Sequence, residues 1–303
     1  MLENNKAAAN NQSIVIFGEV LIDQFPDGQQ VLGGAAFNVA WHLQAFDQSP
    51  QFISRIGHDV IGEHLSTMMS QWGMTLDNLQ IDPDHPTGTV EVSLINGEPC
   101  YEILADQAYD FISMAQLGST KGSGLLYHGS LALRNSISNE AFDSIRAGHS
   151  GKIFMDVNLR TPWWNKASIK AWLSTAHWVK LNHEELIQLG TAQNTLRASM
   201  HLFLEQHDLD VLVVTCGASG ASALNSLGEF VEVTPSAHLT IVDTVGAGDA
   251  FSAVLLLGIQ QGWPLPVMMA RAQAFASASV TQRGATTQNL AFYREFIRDW
   301  SIV

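Results

Sequence analysis

Short, mainly apolar runs recur along the chain, each closed by glycine or a polar residue. Ser13-Ile14-Val15-Ile16-Phe17-Gly18 is the first, and Phe52-Ile53-Ser54-Arg55-Ile56-Gly57 the second. Gly124-Leu125-Leu126-Tyr127-His128-Gly129, Lys152-Ile153-Phe154-Met155-Asp156 and Val211-Leu212-Val213-Val214-Thr215 follow. Runs of this length and texture are those of strands buried on both faces, the mark of a parallel sheet. Segments of helical character lie between them. One begins at Gly62-Glu63-His64-Leu65 and ends near Gly73, one carries the apolar stretch Ala250–Leu257, and one is the small-residue stretch Ala270–Val280. Ile241-Val242 reads as the end of another strand. The alternation predicts an α/β fold, a doubly wound and mostly parallel sheet flanked by helices.

From Thr87 the texture changes. Thr87–Ile95 alternates small or polar with apolar residues, Asn96-Gly97 follows, and Glu98–Leu104 resumes the run. Asn-Gly between alternating runs predicts a hairpin. Together with residues 24–32 it predicts a small sheet, formed by about 24–32 and 85–105, inserted in a single domain spanning 13–303. Residues 1–12 are polar and read as a disordered tail, without the basic-then-apolar order of a signal peptide.

Composition narrows the classes. At 303 residues with 46% hydrophobic and 15% charged content, the chain can bury a large core. A formal charge of −14 argues against nucleic acid and anionic membrane as partners. Two cysteines, Cys100 and Cys216, read as buried thiols in a reducing compartment. No run approaches the ~18 apolar residues of a membrane span, so a cytoplasmic location is expected. His58 and His64 find no third ligand in register and read as surface or cap residues.

The stretch with most chemical content is Asp243-Thr244-Val245-Gly246-Ala247-Gly248-Asp249-Ala250-Phe251. Its glycines let backbone amides approach a ligand, and the helix that follows adds unpaired N–H groups and a dipole favouring an anion. Asp249 at the mouth of such a site suits a general base working beside a migrating phosphoryl group, though the same residue could be an ordinary helix cap. Gly33-Gly34 precede a helix carrying Asn38, whose amide can give and accept hydrogen bonds. Asp23 follows the first strand, at the end of a sheet where ligands bind. Asp156, Asn158 and Arg160, spaced by two, would share one side of a strand end, either as an ion-pair cluster or as a polar-ligand site. There is no Gly-x-x-x-x-Gly-Lys-Ser/Thr, and no Gly-x-Gly-x-x-Gly follows the first strand.

These segments resemble the PfkB, or ribokinase-like, carbohydrate kinases across roughly residues 14–290. Asp-Thr-x-Gly-Ala-Gly-Asp-Ala-Phe is similar to that family's C-terminal signature, and Gly33-Gly34…Asn38 to its N-terminal one. Ala36 and Phe37 depart from the Pro and small residue often found there. Asp156-x-Asn158-x-Arg160, followed by Trp163-Trp164, looks most like fructokinases and also like 2-keto-3-deoxygluconate kinases. The resemblance implies ATP-dependent phosphorylation of a sugar hydroxyl, fructose first, with Asp249 as base and Gly246, Ala247 and Gly248 as the anion hole. Asp23, Gly33, Gly34, Asn38 and Arg160 would hold the sugar, and Thr215, Gly217 and Gly220 the ATP phosphates. It implies Mg²⁺ placed through water by Asn182 and Glu185, a K⁺-type site beginning at Asp243, and a small sheet that closes as a lid; an exposed face or edge of that sheet would be a natural homodimer contact. Another ribokinase-like kinase remains the alternative, as does a kinase-fold protein that senses sugar without turnover.

Overall fold

The apolar runs assemble side by side. The computed structural model describes residues 13–95, 98–117, 124–190, 193–236 and 240–302. The expected tail 1–12 and the Asn96-Gly97 turn lie outside the described residues. In chain order the strands are β1 (Ile14–Phe17), β2 (Leu21–Gln24), β3 (Gln30–Gly33), β4 (Gln51–Gly57), β5 (Leu79–Asp82), β6 (Gly88–Ile95) and β7 (Glu98–Ile103). They continue with β8 (Leu125–His128), β9 (Lys152–Asp156), β10 (Trp178–Asn182), β11 (Val211–Thr215), β12 (Ala221–Asn225) and β13 (Phe230–Val233). The helices are α1 (Ala35–Ala45), α2 (Val60–Gln71), α3 (Ser136–Ala147), α4 (Lys166–Leu173), α5 (His183–Gln188), α6 (Leu196–His207), α7 (Ala247–Gln261), α8 (Leu265–Ser279) and α9 (Leu290–Trp300).

Nine strands form the main sheet in the order β13-β12-β11-β10-β9-β8-β1-β4-β5. From β11 to β5 every pairing is parallel, and only the two pairings of β12, with β11 and with β13, are antiparallel. β1 is buried along its whole length because successive residues serve opposite cores. Ile14 and Ile16 pack with α1, α2, α7 and α8 on one face. Val15 and Phe17 pack with α3, α4 and α6 on the other. Strand order reverses between β1 and β8, so the crevice beyond their carboxyl ends is where this architecture leaves room for a ligand.

A second sheet of four strands, β3-β2-β6-β7, stands apart from the first. β6 and β7 pair antiparallel from Val90↔Ile103 to Ile95↔Glu98. The expected small sheet is present, with residues 25–29 connecting β2 and β3.

Two expectations are corrected. Ile241 and Val242 form no strand: both are largely exposed, and the amides of Val242 and Asp243 donate to the single carbonyl of Val280. Ile241 instead lines the wall of a cavity. Alternation also fails beyond Asp156, because β9 ends there and Asn158 adopts φ 40°. Asp156 is consequently buried while Arg160 reaches the surface.

Candidate active site

α7 begins at Ala247 with Gly246 as its cap, at φ 77°. A side chain at Gly246 would collide with Ala285, so the turn tolerates only glycine at that point. Asp249 stands in the first turn of α7. Asn38 of α1 donates from Nδ2 to Asp249 Oδ2 at 2.8 Å, across 211 residues of sequence. Asp249 Oδ1 makes no hydrogen bond among the described residues. Burial pushes the Asp249 carboxyl up to about 7, and nearby Asp156 adds to the rise, while the Asn38 bond, Lys180 and Arg160 oppose it. The group still opens on a cavity, so it can exchange protons near neutral pH.

That cavity, about 590 Å³, is lined by Asp23, Gly33, Gly34, Asn38, Arg160, Gly246 and Asp249, and also by Glu19, Asn158 and Thr244. Val31, Val90, Tyr101 and Ile103 of the small sheet form its outer wall. Burial lifts Asp23 to about 6 against the pull of Arg160. Glu19 Oε1 accepts from Ala35 N at 2.9 Å, supplying the cap that Gly34 cannot offer to α1. A Cβ at Gly34 would sit 2.6 Å from the Glu19 carbonyl, which explains the glycine, at φ 104°.

A second cavity, about 550 Å³, lies on the other side of the same turn. It is lined by Thr215, Gly217 and Gly220, and by Ala247, Gly248, Ser277 and Ile241. Thr244 borders both cavities. The 244–249 turn is therefore a partition, with Asp249 on one side and the amide-bearing start of α7 reaching the other.

Behind it Asp156 meets two residues that the sequence pattern did not single out, Lys180 and Ser252. Lys180 Nζ pairs with Asp156 Oδ2 at 2.6 Å, and Ser252 Oγ donates to the same oxygen at 2.8 Å. Lys180 Nζ comes within 3.7 Å of where a Gly248 Cβ would lie. A lysine flanked by Val179 and Leu181 inside an apolar strand was the available signal.

Asn182 and Glu185 close on each other. Asn182 Oδ1 accepts from Glu185 N at 2.8 Å and Glu185 Oε2 from Asn182 N at 2.7 Å, the reciprocal box that starts α5. Glu185 Oε1 also accepts, from Leu159 N at 2.6 Å, beside the Asn158–Arg160 loop. Burial raises Glu185. Both oxygens being engaged, the pair suits a cation held through water and phosphate better than direct ligation. Among the described residues no group of three or more His, Cys, Asp or Glu could hold a metal by itself. Asp243 likewise accepts from Val245 N at 3.0 Å and from Gly284 N at 2.9 Å, bracing the turn. Cys216 is half-buried beside Gly217, more open than the sequence suggested.

The model of the pfkB family carbohydrate kinases matches residues 4–291. The chain belongs to that family. The enzyme is a carbohydrate kinase, a phosphotransferase with an alcohol group as acceptor. It is 28% identical over 312 residues to a fructokinase of Salmonella typhimurium, covering 96% of this chain and 100% of that one. It is 27% identical to an aminoimidazole riboside kinase of Salmonella typhimurium, with 90% of each chain covered. The fructokinase of Vibrio cholerae O395 solved with fructose, ADP and calcium ion superimposes with TM-score 0.80 at 25% identity, over 94% of this chain and 99% of that one. No helix among the described residues of the kinase is long and apolar enough to cross a membrane.

Proposed function

We propose that the kinase transfers the γ-phosphoryl group of ATP to a hydroxyl of a neutral sugar, fructose before others. The observation that carries this reading is the charge of the larger cavity. Arg160 is the one Lys or Arg among the described residues of its lining, against Glu19, Asp23 and Asp249, and apart from Asp23 the small sheet contributes no charged side chain to it. A carboxylate substrate would enter a field of like charge, whereas a polyol can exchange hydrogen bonds with each of these groups. The resemblance to fructokinases supports the choice of sugar.

In this reading Asp23, Gly33, Gly34, Asn38 and Arg160 orient the sugar, and Asp249 takes the proton of the attacking hydroxyl. The oxygen then bonds to the γ-phosphorus as the bond to the β-phosphate oxygen breaks and ADP leaves. The amides of Gly246, Ala247 and Gly248 meet the charge on the migrating group, with Lys180 close behind them. Thr215, Gly217 and Gly220 hold the nucleotide in the second cavity. Mg²⁺, held through water by Asn182 and Glu185 and by the phosphates themselves, would neutralise phosphate charge. Asp243 would border a K⁺ site, and the exposed edge of the small sheet would serve a homodimer. The small sheet would shut over the sugar and keep out water, a rival acceptor.

An ADP-release assay with Mg-ATP over ketoses, aldoses, sugar acids and nucleosides tests the proposal. The expected result is the highest kcat/KM with fructose. A preference for 2-keto-3-deoxygluconate or for a riboside would overturn the substrate, and no turnover with any acceptor would favour a sugar sensor.

A further inference from the structure

We propose that Arg134 is a positioning residue that couples the root of the small sheet to the loop carrying Arg160, with Trp163 as the link. Arg134 follows the turn of 3₁₀ helix Leu131–Leu133 after β8. Its Nε and Nη2 donate to the two oxygens of Asp110, each at 2.7 Å, and Nη2 also donates to the carbonyl of Leu104 at 2.5 Å. Leu104 is the residue on which β7 leaves the small sheet. Asp110 in turn accepts from Gln107 N at 3.0 Å, and Gln107 Oε1 accepts from Thr89 N of β6 at 3.2 Å. Both long strands of the small sheet are thus moored to one buried cation. The Arg134–Asp110 side chains are 5% and 2% exposed, so solvent does not dilute the pairing.

The same guanidinium stacks on a ring from elsewhere. Its carbon lies 4.2 Å from the centroid of Trp163, and Trp163 N donates to Arg160 O at 2.7 Å. The planar, rigid fork of arginine explains why one side chain can do this. Its edge is spent on Asp110 and Leu104 while its face remains for an indole. A displacement of β7 must therefore pull on Leu104, on Arg134 and through Trp163 on the segment that aims Arg160. The functional part of this inference rests on the reading that Arg160 and the small sheet face the acceptor; the mechanical part does not.

The test uses Trp163→Leu, which removes the ring and leaves the Arg134–Asp110 pair intact, with Trp163→Phe keeping an aromatic face and Arg134→Lys abolishing the fork. Hydrogen exchange without ligands is the first measurement. Trp163→Leu is expected to raise exchange in 157–165 and also in 98–104, and Trp163→Phe to restore most of the protection in both. Exchange rising only at 157–165 would overturn the coupling, whatever the enzyme phosphorylates. Steady-state kinetics with the best acceptor from the panel is the second measurement. The KM for acceptor is expected to rise about three- to tenfold in Trp163→Leu, the range of a partly buried cation–ring contact, with the KM for nucleotide unchanged. Equal rises in both KM values, or no rise in either, would overturn the positioning role. Failure of every acceptor would count against the kinase reading alone, because the exchange measurement still decides the coupling.

Discussion

The two cavities flanking the 244–249 turn are nearly equal in size but opposite in chemistry. The one beneath the small sheet is lined by Glu19, Asp23, Asp249 and Arg160, with Asp23 and Asp249 held above the usual carboxylate range by burial. The one beside β11 and α8 has no charged side chain among the described residues of its lining, which include Thr215, Ser236, Thr244, Gln273, Ser277, glycines and apolar walls. On the proposed function, the difference matches what each would admit. A neutral polyol is recognised by directional hydrogen bonds, and its hydroxyl needs a base. A nucleotide brings its own charge, and in a chain of net charge −14 the tolerable partners are amides, hydroxyls and a helix start, with carboxylates kept away.

The largest test of this contrast is Asp249→Asn. Turnover should fall by about 10²–10⁴-fold, the usual loss on removing a general base, while nucleotide binding measured by calorimetry stays near wild type. More than about a tenth of the activity remaining would remove Asp249 from the role. Its stability should not suffer. Burial raises the carboxyl, so the protonated form favours folding, and that contribution, complete at low pH, is lost as pH rises through about 7. At pH 8 the Asn variant should melt no lower than wild type.

Next in size is Arg160→Ala, expected to lower kcat/KM for fructose by roughly tenfold or more, in line with ~1.5–3 kcal/mol for a charged donor. Unchanged fructose kinetics would shift sugar recognition to other residues. Lys180→Met probes the partition itself. Wild-type kcat should fall about tenfold for each pH unit below the Asp249 value near 7, since the ionised form is the base. Lys180 opposes the rise of Asp249, so its loss should carry that limb to higher pH. Breaking the buried pair with Asp156 should also cost about 3–5 kcal/mol of stability, which a melting curve reads; a limb that stays in place would show that Lys180 does not tune the base. The smallest effect belongs to the uncharged cavity. Thr215→Val should raise the nucleotide KM by about two- to tenfold, the worth of one neutral hydrogen bond, and leave the sugar KM alone. A larger change in the sugar KM would break the division between the two sides.

Sequence alone determined a good deal. Uninterrupted apolar runs specified the parallel core, and Thr87–Leu104 announced a separate hairpin, because burial on one face or two leaves its period in the chain. Gly33, Gly34 and Asn38, and the 243–251 stretch, stood out because their backbone and side-chain chemistry is local. What periodicity reports, however, ends at the boundary of an element. Only tertiary structure decided that Asn38 and Asp249 share a hydrogen bond, that Lys180, Asp156 and Ser252 meet behind the turn, and that Glu185 spends both oxygens on backbone amides. It also decided that Ile241 lines a cavity and that neither it nor Val242 belongs to a strand, and that Asn158 turns out of register before Arg160. Those outcomes depend on which strands lie side by side and in what register. Parallel strands joined through helices take their neighbours from the packing of the whole domain, and no short stretch of residues carries that information.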